Sequence, residues 1–308
     1  MNSALLKIQP EVADALSENR PVVALESTVI THGLPWPQNI ETAQGMEAAV
    51  RESGSIPATL ALIDGELRIG LTDDDLEFLA KQPAGSVRKC SRRDLPIVMT
   101  AKEHGSTTVA ATMILAHLAG IKFFATGGIG GVHRGHHFDV SADLMELGKT
   151  PTTVICSGAK AILDIPNTLE VLETQGVPIL GYKCDNLPLF YSRASEYLVN
   201  ERVESAEQVA SIVRYRELLG LHTGTLVTVP VPAADEVPAE QIKSIIDTAV
   251  AEAEDQGIHG AETTPWLLSR IAELSQNQSM AANIALLKNN GRVAGLIARA
   301  YQELVNLP

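Results

Sequence analysis

Cysteine is scarce in this chain, and acidic residues outnumber basic ones. The three cysteines, Cys90, Cys156 and Cys184, have a spacing that fits neither a zinc site nor a disulfide framework. We therefore expect the protein to work in a reducing compartment, the cytoplasm. The formal net charge of −13 argues against a nonspecific nucleic-acid binder, which needs a basic surface. It leaves open a small phosphorylated ligand held in a local basic pocket.

Long hydrophobic runs and a dinucleotide fingerprint are also missing. No stretch of about 18 apolar residues occurs, so no transmembrane helix is expected. The segment 1–20 carries acidic residues and no apolar core, which predicts that no signal peptide is present. The glycine loop from Gly128 reads Gly-Ile-Gly-Gly-Val-His, so His133 stands where the fingerprint needs its third glycine. With no repeat, low-complexity tract or clear linker, we expect one domain spanning residues 1–308.

Short apolar segments alternate with helical ones, a pattern typical of an α/β fold. The segments at 21–28, 121–128 and 151–158 are apolar on both faces, as the buried strands of a parallel sheet are. An Asp-Gly turn within 58–71 predicts a hairpin. The basic residues of 87–101 are expected to precede a further strand. Helices are predicted over 4–18, 39–53, 73–82, 105–120, 204–219, 237–256 and 279–305, the last interrupted near 289–291.

The stretch 125–160 concentrates reactive side chains. It contains paired glycines, three histidines (His133, His136 and His137) and Asp139. One carboxylate with waters is a normal way to hold magnesium or manganese beside a phosphate or sugar. Alternatively, Asp139 caps a helix that begins near residue 140, and the histidines belong to a surface loop.

Two further residues suggest covalent chemistry. Glu26 lies near the end of the first buried strand, where a carboxylate either has a buried partner or turns out to solvent. Lys160 follows another buried strand, at the sheet edge where open α/β proteins bind ligands, and at or near a helix start. A lysine placed there suits attack on a carbonyl carbon as a Schiff-base former. The alternative is an ordinary solvent-facing lysine.

Three more features could bind an anion or a base. The basic cluster of Arg88, Lys89, Arg92 and Arg93 indicates either an anion site or a solvated loop. The Gly-Ser-Thr-Thr segment at 105–108 places hydroxyls and free N–H groups at a helix start, which suits phosphate but is also ordinary capping. Asn283 stands among apolar neighbours, as either a ligand-facing amide or a satisfied core amide.

Seven segments together resemble the pseudouridine-5′-phosphate glycosidases, a family that is also similar to indigoidine synthase A-like proteins of pigment biosynthesis. The match runs from about residue 22 to about residue 298, with the motifs in the family's order. The segments read ALESTVITHGLPWPQN, KCSRRDL, GSTTVAATM, FFATGGIGGVHRG, FDVSADL, CSGAKAILDIPNTLE and ANIALLKNN.

The resemblance implies a three-layer α/β/α fold with a mostly parallel central sheet, a homotrimer, and a manganese-dependent enzyme. The implied reaction is the reversible cleavage of pseudouridine 5′-phosphate to uracil and ribose 5-phosphate. Glu26 is then the proton donor, Lys160 the nucleophile and Asp139 the metal ligand. Substrate contacts are implied for Lys89, Val109, Ser141, Ala142 and Asp143, and His133 and Asn283 are expected nearby.

Two other functions would share parts of this site. A Schiff-base aldolase acting on a sugar phosphate would use Lys160 and the anion site without a uracil pocket. A non-catalytic accessory protein on the same fold would need neither Glu26 nor Lys160.

Overall fold

The strands of the protein form one large mixed sheet and one small ribbon. The computed structural model describes residues 5–134, 139–258 and 263–306. Within these residues the strands are β1 (Leu6–Ile8), β2 (Val22–Leu25), β3 (Ile56–Ile63), β4 (Glu66–Ile69), β5 (Arg88–Cys90), β6 (Gly105–Thr107), β7 (Phe123–Ala125), β8 (Val132–His133), β9 (Thr153–Cys156), β10 (Leu163–Asp164), β11 (Ile179–Tyr182), β12 (Glu201–Val203) and β13 (Thr225–Thr228).

The large sheet has the order β1-β4-β3-β2-β7-β9-β13-β11-β12, and β5 and β6 join it beside β3. All neighbouring strands in it are parallel except β3, which runs antiparallel to β4 and β6. The hairpin predicted at the Asp-Gly turn is the β3–β4 pair. Because β2, β7 and β9 are parallel neighbours, their carboxyl ends meet at one edge of the sheet. That edge is where an open α/β sheet binds ligands.

Helices cover the sheet on both faces, which confirms the three-layer α/β/α fold with a mostly parallel sheet. They are α1 (Pro10–Ser17), α2 (Gln38–Glu52), α3 (Asp73–Ala80), α4 (Leu95–Ala101), α5 (Val109–Ala119), α6 (Ala142–Leu147), α7 (Ile165–Thr174), α8 (Ala206–Leu218), α9 (Ala239–Asp255), α10 (Thr263–Leu274) and α11 (Gln278–Val305). A π-helical turn at Val29–Gly33 and a 3-10 turn at Ala233–Asp235 complete the described elements. None of the helices in this part of the chain combines the length and apolar composition that a bilayer crossing requires.

Strand β7 shows how the two layers share the sheet. The Phe123 ring packs edge-on against Tyr301 of α11, with ring centroids 5.4 Å apart. Since successive side chains of a strand point to opposite faces, Phe124 points into the other layer. Both rings are buried. The double-sided burial explains why β7 is apolar at every position rather than alternating.

Three predicted elements differ from those observed. Segment 4–18 divides into β1 and α1, and segment 105–120 divides into β6 and α5. The basic segment is itself a strand, β5, while the apolar residues that follow it form α4, with a proline in the first turn. Proline is favoured there because the first N–H groups of a helix have no intrahelical partner. The short strands β1, β5 and β6 gain their stability from pairing with neighbours that are distant in sequence.

The interruption predicted near 289–291 is absent, because α11 runs unbroken from Gln278 to Val305. Asn290, in its middle, is fully buried. Its side-chain amide donates to the Thr126 carbonyl (2.8 Å) and to the Ser157 hydroxyl (3.1 Å). Thr126 directly follows β7 and Ser157 directly follows β9. Tertiary hydrogen bonds therefore outweigh the weak helix propensity of asparagine.

We expect Asn290→Ala to lower the free energy of unfolding by about 1–3 kcal/mol, because it leaves a buried carbonyl and hydroxyl without their donor. Urea denaturation measures this change. Asn289→Ala is the matched control, since the Asn289 amide makes a long 3.5 Å contact to the Pro230 carbonyl and an exposed 3.1 Å hydrogen bond from Arg292. An Asn290→Ala protein as stable as the Asn289→Ala protein would contradict the assignment.

Candidate active site

Glu26 is the first residue after β2, and its carboxylate is held from two sides. The Thr28 hydroxyl donates to one oxygen and the Thr126 hydroxyl donates to the other. Glu26 is only 8% exposed, so it has buried partners rather than turning out to solvent. The two hydroxyls compensate its burial and fix its orientation. Thr126 was not singled out in the sequence, because its role arises only when β7 lies beside β2.

Lys160 does not stand at a helix start. Strand β9 ends at Cys156 and α7 begins at Ile165, so Lys160 lies in the loop between them. This loop pairs with the glycine loop: the Lys160 N–H donates to the Ile129 carbonyl and the Ile129 N–H donates to the Gly158 carbonyl, both at 3.1 Å. The predicted location at the carboxyl edge of the sheet is confirmed, whereas the predicted helix start is wrong.

Gly158 explains why the chain turns before Lys160 instead of entering a helix. Its φ is +85°, in the region that side chains rarely adopt. A Cβ atom there would also lie 2.3 Å from the Pro188 carbonyl oxygen. A glycine is therefore required, and the turn it makes directs Lys160 back over the strand ends.

Glu26 and Lys160 line the same cavity, which has a volume of about 520 Å³. Strands β2 and β9, which lead to these two residues, are separated only by β7. Every other residue that the resemblance implied for catalysis, substrate or metal also lines this cavity. These are Lys89, Val109, Asp139, Ser141, Ala142 and Asp143, and His133 lies with them. The structure therefore brings together residues spread over 135 positions of sequence.

A second, smaller cavity of about 60 Å³ continues from the first. Glu26, Thr28, Lys89 and Lys160 belong to the walls of both. The smaller cavity is otherwise mostly apolar, with the Phe190 ring and Leu287 among its walls. Polar groups also face it, and Asn283 and His32 are among them. Asn283 therefore faces a cavity rather than the packed core.

Asp143 is engaged by the backbone as well as facing the cavity. One of its oxygens accepts from the Ala110 N–H (3.0 Å) and the other accepts from the Gly130 N–H (2.9 Å). The Thr108 hydroxyl accepts from the Ala111 N–H. The start of α5 is therefore capped by the protein's own side chains. Of the two interpretations of the Gly-Ser-Thr-Thr segment, the structure shows ordinary capping. Asp143 ties the glycine loop to α5.

Asp139 contacts His133, and its oxygen Oδ2 lies 2.6 Å from the imidazole Nδ1. The alternative that Asp139 caps the next helix is wrong, because Ser141 is the capping residue of α6. The Asp139 carboxylate is half exposed in the cavity wall. His136 and His137 lie outside the described residues. Among the described residues, no three His, Cys, Asp or Glu side chains form a metal-binding group. A hard divalent ion held by one carboxylate and waters fits this donor set.

The charges around Lys89 shape the middle of the site. Burial, followed by the nearby Lys160 ammonium, lowers the pKa of Lys89, while Asp143 and Glu26 oppose the shift. Burial and the charge of Lys89 together lower the pKa of His32 to about 4. His32 is therefore neutral at physiological pH, and its Nδ1 lies 2.6 Å from the Thr31 hydroxyl.

Comparison with known proteins identifies the family. The family model described as "Indigoidine synthase A like protein" matches residues 11–300. The chain belongs to the indigoidine synthase A-like family. Among its relatives, the pseudouridine-5′-phosphate glycosidase of Paracoccus denitrificans (strain Pd 1222) is 53% identical over 298 residues, covering 96% of this chain and 98% of the relative. The enzyme of the same name from Escherichia coli (strain K12) is 51% identical over 302 residues, covering 97% and 96%.

Two solved structures share the fold. The prealnumycin C-glycosynthase in complex with ribulose 5-phosphate has a TM-score of 0.89 and 37% identity, covering 97% of this chain and 98% of that one. An indigoidine synthase A-like protein from Thermotoga maritima MSB8 has a TM-score of 0.88 and 33% identity, covering 96% of both chains.

The low pKa of His32 predicts an acid sensitivity. Because the folded-state pKa of about 4 lies below the ordinary value of 6.5, the unfolded chain binds a proton more readily in this range. The stability contributed by neutral His32 is complete above pH 6.5 and is lost as the pH falls toward 4. Between these values, we expect the Tm of His32→Gln to fall less than that of the wild type. Identical pH dependence of the two Tm curves would contradict the assignment.

Proposed function

We propose that this protein cleaves the carbon–carbon glycosidic bond of pseudouridine 5′-phosphate, with water, to give uracil and ribose 5-phosphate, and that the reaction is reversible. The observation that carries the proposal is the convergence of Glu26 and Lys160 on one cavity, from two strand ends of the same sheet edge. The names of the relatives from Paracoccus and Escherichia support it. The neighbour's complex with ribulose 5-phosphate supports a pentose phosphate as ligand.

The chemistry requires more than the usual pair of carboxylates, because the leaving atom is carbon and carries no lone pair to protonate. In the proposed mechanism Glu26 transfers a proton to the ribose ring oxygen, the bond from that oxygen to C1′ breaks, and Lys160 bonds to C1′. The lysine nitrogen gives up a proton once it has bonded, and the bond from C1′ to uracil C5 then breaks with its electrons going to C5, which takes that proton. The lysine nitrogen stabilises C1′ as an iminium, a Schiff base, and water releases ribose 5-phosphate.

The two cavities suit the two ends of this substrate. The smaller one, with Phe190 and Leu287 as apolar walls and Asn283 as a polar group, would take the flat base. The larger one would take the ribose 5-phosphate, with Lys89, Val109, Ser141, Ala142 and Asp143 in its walls. Glu26 and Lys160 belong to both, so C1′ would lie where the cavities join. Holding both ends of the substrate orients C1′ against the lysine.

Asp139 would hold a manganese ion together with waters, beside His133. Such an ion supplies positive charge near the phosphate end of the substrate and orders water there. We further propose that the protein is a cytoplasmic homotrimer that degrades pseudouridine nucleotide. The family resemblance is the support for the trimer and for manganese.

Borohydride reduction during turnover tests the covalent step. We expect it to attach a pentose phosphate irreversibly to the peptide that carries Lys160, because reduction converts the Schiff base to a stable amine. Peptide mapping by mass spectrometry locates the label. The peptide carrying Lys89, the other lysine of both cavity walls, is the internal control and should be unlabelled. Label on Lys89, or the same labelling in Lys160→Arg, would rule out Lys160 as the nucleophile.

Asp139→Asn tests the metal site through binding itself. We expect its affinity for Mn²⁺ to fall at least about ten-fold, because changes even to the outer-shell partners of metal ligands typically cost about 10–100-fold. Titration followed by electron paramagnetic resonance measures free and bound Mn²⁺ independently of turnover. Asp94→Asn is the matched control, because Asp94 also lines the larger cavity. Equal Mn²⁺ affinity in the wild type and Asp139→Asn would exclude Asp139 as the ligand.

A further inference from the structure

Two neighbouring arginines of the basic cluster line the larger cavity, and they have very different surroundings. The Arg93 side chain is 89% exposed and only 3.9 Å from the Asp94 carboxylate. The Arg92 guanidinium instead makes a two-pronged contact with Glu146 of α6. Its Nε donates to one carboxylate oxygen at 2.7 Å and its Nη2 donates to the other at 2.6 Å.

Glu146 is an unusual partner for an arginine at a cavity wall, since its side chain is only 2% exposed. The Thr150 hydroxyl donates to the same carboxylate. A buried carboxylate with three donors has little freedom to move, so the fork-shaped contact fixes the plane of the Arg92 guanidinium. The Arg92 side chain nevertheless remains 56% exposed. It is an oriented cation that still has N–H groups to offer.

The geometry of the contact shows which groups remain. Nε and Nη2 are used by Glu146, whereas Nη1 has no hydrogen-bond partner among the described residues. A planar guanidinium can bind a carboxylate along one edge and a phosphate along another, which a lysine ammonium cannot do. Because Glu146 already holds Arg92, little side-chain entropy remains to be lost when a ligand binds.

Other candidates for a phosphate group in this cavity are less suitable. The start of α5 is capped by Thr108 and Asp143. Lys160 is assigned to the chemistry at C1′. Lys89 and Lys160 line both cavities and so lie at their junction. Arg92 lines only the larger cavity and not the smaller one. A phosphate attached to C5′ would extend from that junction into the larger cavity.

We propose that Arg92, positioned by the buried Glu146, binds the 5′-phosphate and makes the enzyme select the nucleotide over the free nucleoside. Arg92 is the binding residue, and Glu146 is a positioning residue that acts through it. The inference rests on the proposed function and adds to it the group that recognises the phosphate.

The test compares pseudouridine 5′-phosphate with pseudouridine as substrates of the same Mn²⁺-loaded protein. We expect Arg92→Gln to lower kcat/KM for the nucleotide at least about 30-fold, mostly through KM, and to change kcat/KM for the nucleoside less than about 3-fold. Arg93→Gln is the matched control, since it removes the adjacent guanidinium. The preference of this variant for the nucleotide over the nucleoside should stay within about 3-fold of the wild-type value. Unchanged preference in Arg92→Gln, or equal losses on both substrates, would overturn the proposal.

A second set of variants separates phosphate binding from stability, because Arg92→Gln leaves a buried carboxylate without its partner. The double variant Arg92→Gln, Glu146→Gln removes both charges and should show the same loss of nucleotide preference. Glu146→Gln alone should raise KM for the nucleotide while leaving the kcat/KM for the nucleoside within about 3-fold. A double variant that keeps the wild-type nucleotide preference would overturn the proposal.

Binding of ribose 5-phosphate and of ribose, measured by calorimetry without any turnover, keeps the inference distinct from the proposed function. We expect Arg92→Gln to weaken ribose 5-phosphate at least about ten-fold and to leave ribose unaffected. If the wild type released no uracil but showed this pattern, the proposed function would fail and the phosphate site would stand. If it released uracil and Arg92→Gln bound ribose 5-phosphate normally, the phosphate site would fail alone.

Discussion

The structure of the site depends on the buried amide of Asn290, which joins the middle of α11 to the ends of two strands. It holds the Thr126 carbonyl after β7 and the Ser157 hydroxyl after β9. The Thr126 hydroxyl in turn donates to Glu26 after β2. One helix thus fixes the relative positions of three strand ends, and with them the Glu26 carboxylate. A buried hydrogen-bond network of this kind orders a site only if all its members are satisfied.

A second constraint is electrostatic. The protein carries a net charge of −13, yet two lysines and two arginines line the larger cavity. Burial and the nearby Lys160 ammonium lower the pKa of Lys89, so holding these two lysines together in the wall is costly. The carboxylates of Glu26 and Asp143 oppose the repulsion. A dianionic ligand would relieve the repulsion between the two lysines further, which supports the proposed phosphorylated substrate.

Much of this arrangement could be predicted from local sequence. The apolar runs predicted β2, β7 and β9, and the Asp-Gly turn predicted the β3–β4 hairpin. Lys160 could be located at the sheet edge, but its helix start was wrong, because the positive φ of Gly158 and the pairing with Ile129 override the helix-forming residues that follow. Strand β5 was missed because a three-residue segment with two basic residues forms a strand only when β6 is available to pair.

The partners of the site residues were the hardest to predict. Nothing near Glu26 in sequence identifies Thr126, which is 100 residues away. Asn290 looked like part of a helix break because asparagine next to glycine is typical of one, and only the tertiary contacts show otherwise. The link between Arg92 and Glu146 spans 54 residues. Side chains that position others depend on three-dimensional neighbours, so local patterns carry little information about them.

Product analysis tests whether Glu26 and Lys160 together break a carbon–carbon glycosidic bond. Pseudouridine 5′-phosphate is incubated with the wild type, Glu26→Gln and Lys160→Arg, and the products are separated by chromatography with mass detection. The proposed joint role predicts uracil and ribose 5-phosphate in equal amounts from the wild type, and neither from the two variants. A shorter aldehyde, no uracil from the wild type, or near-normal uracil release by either variant would contradict it.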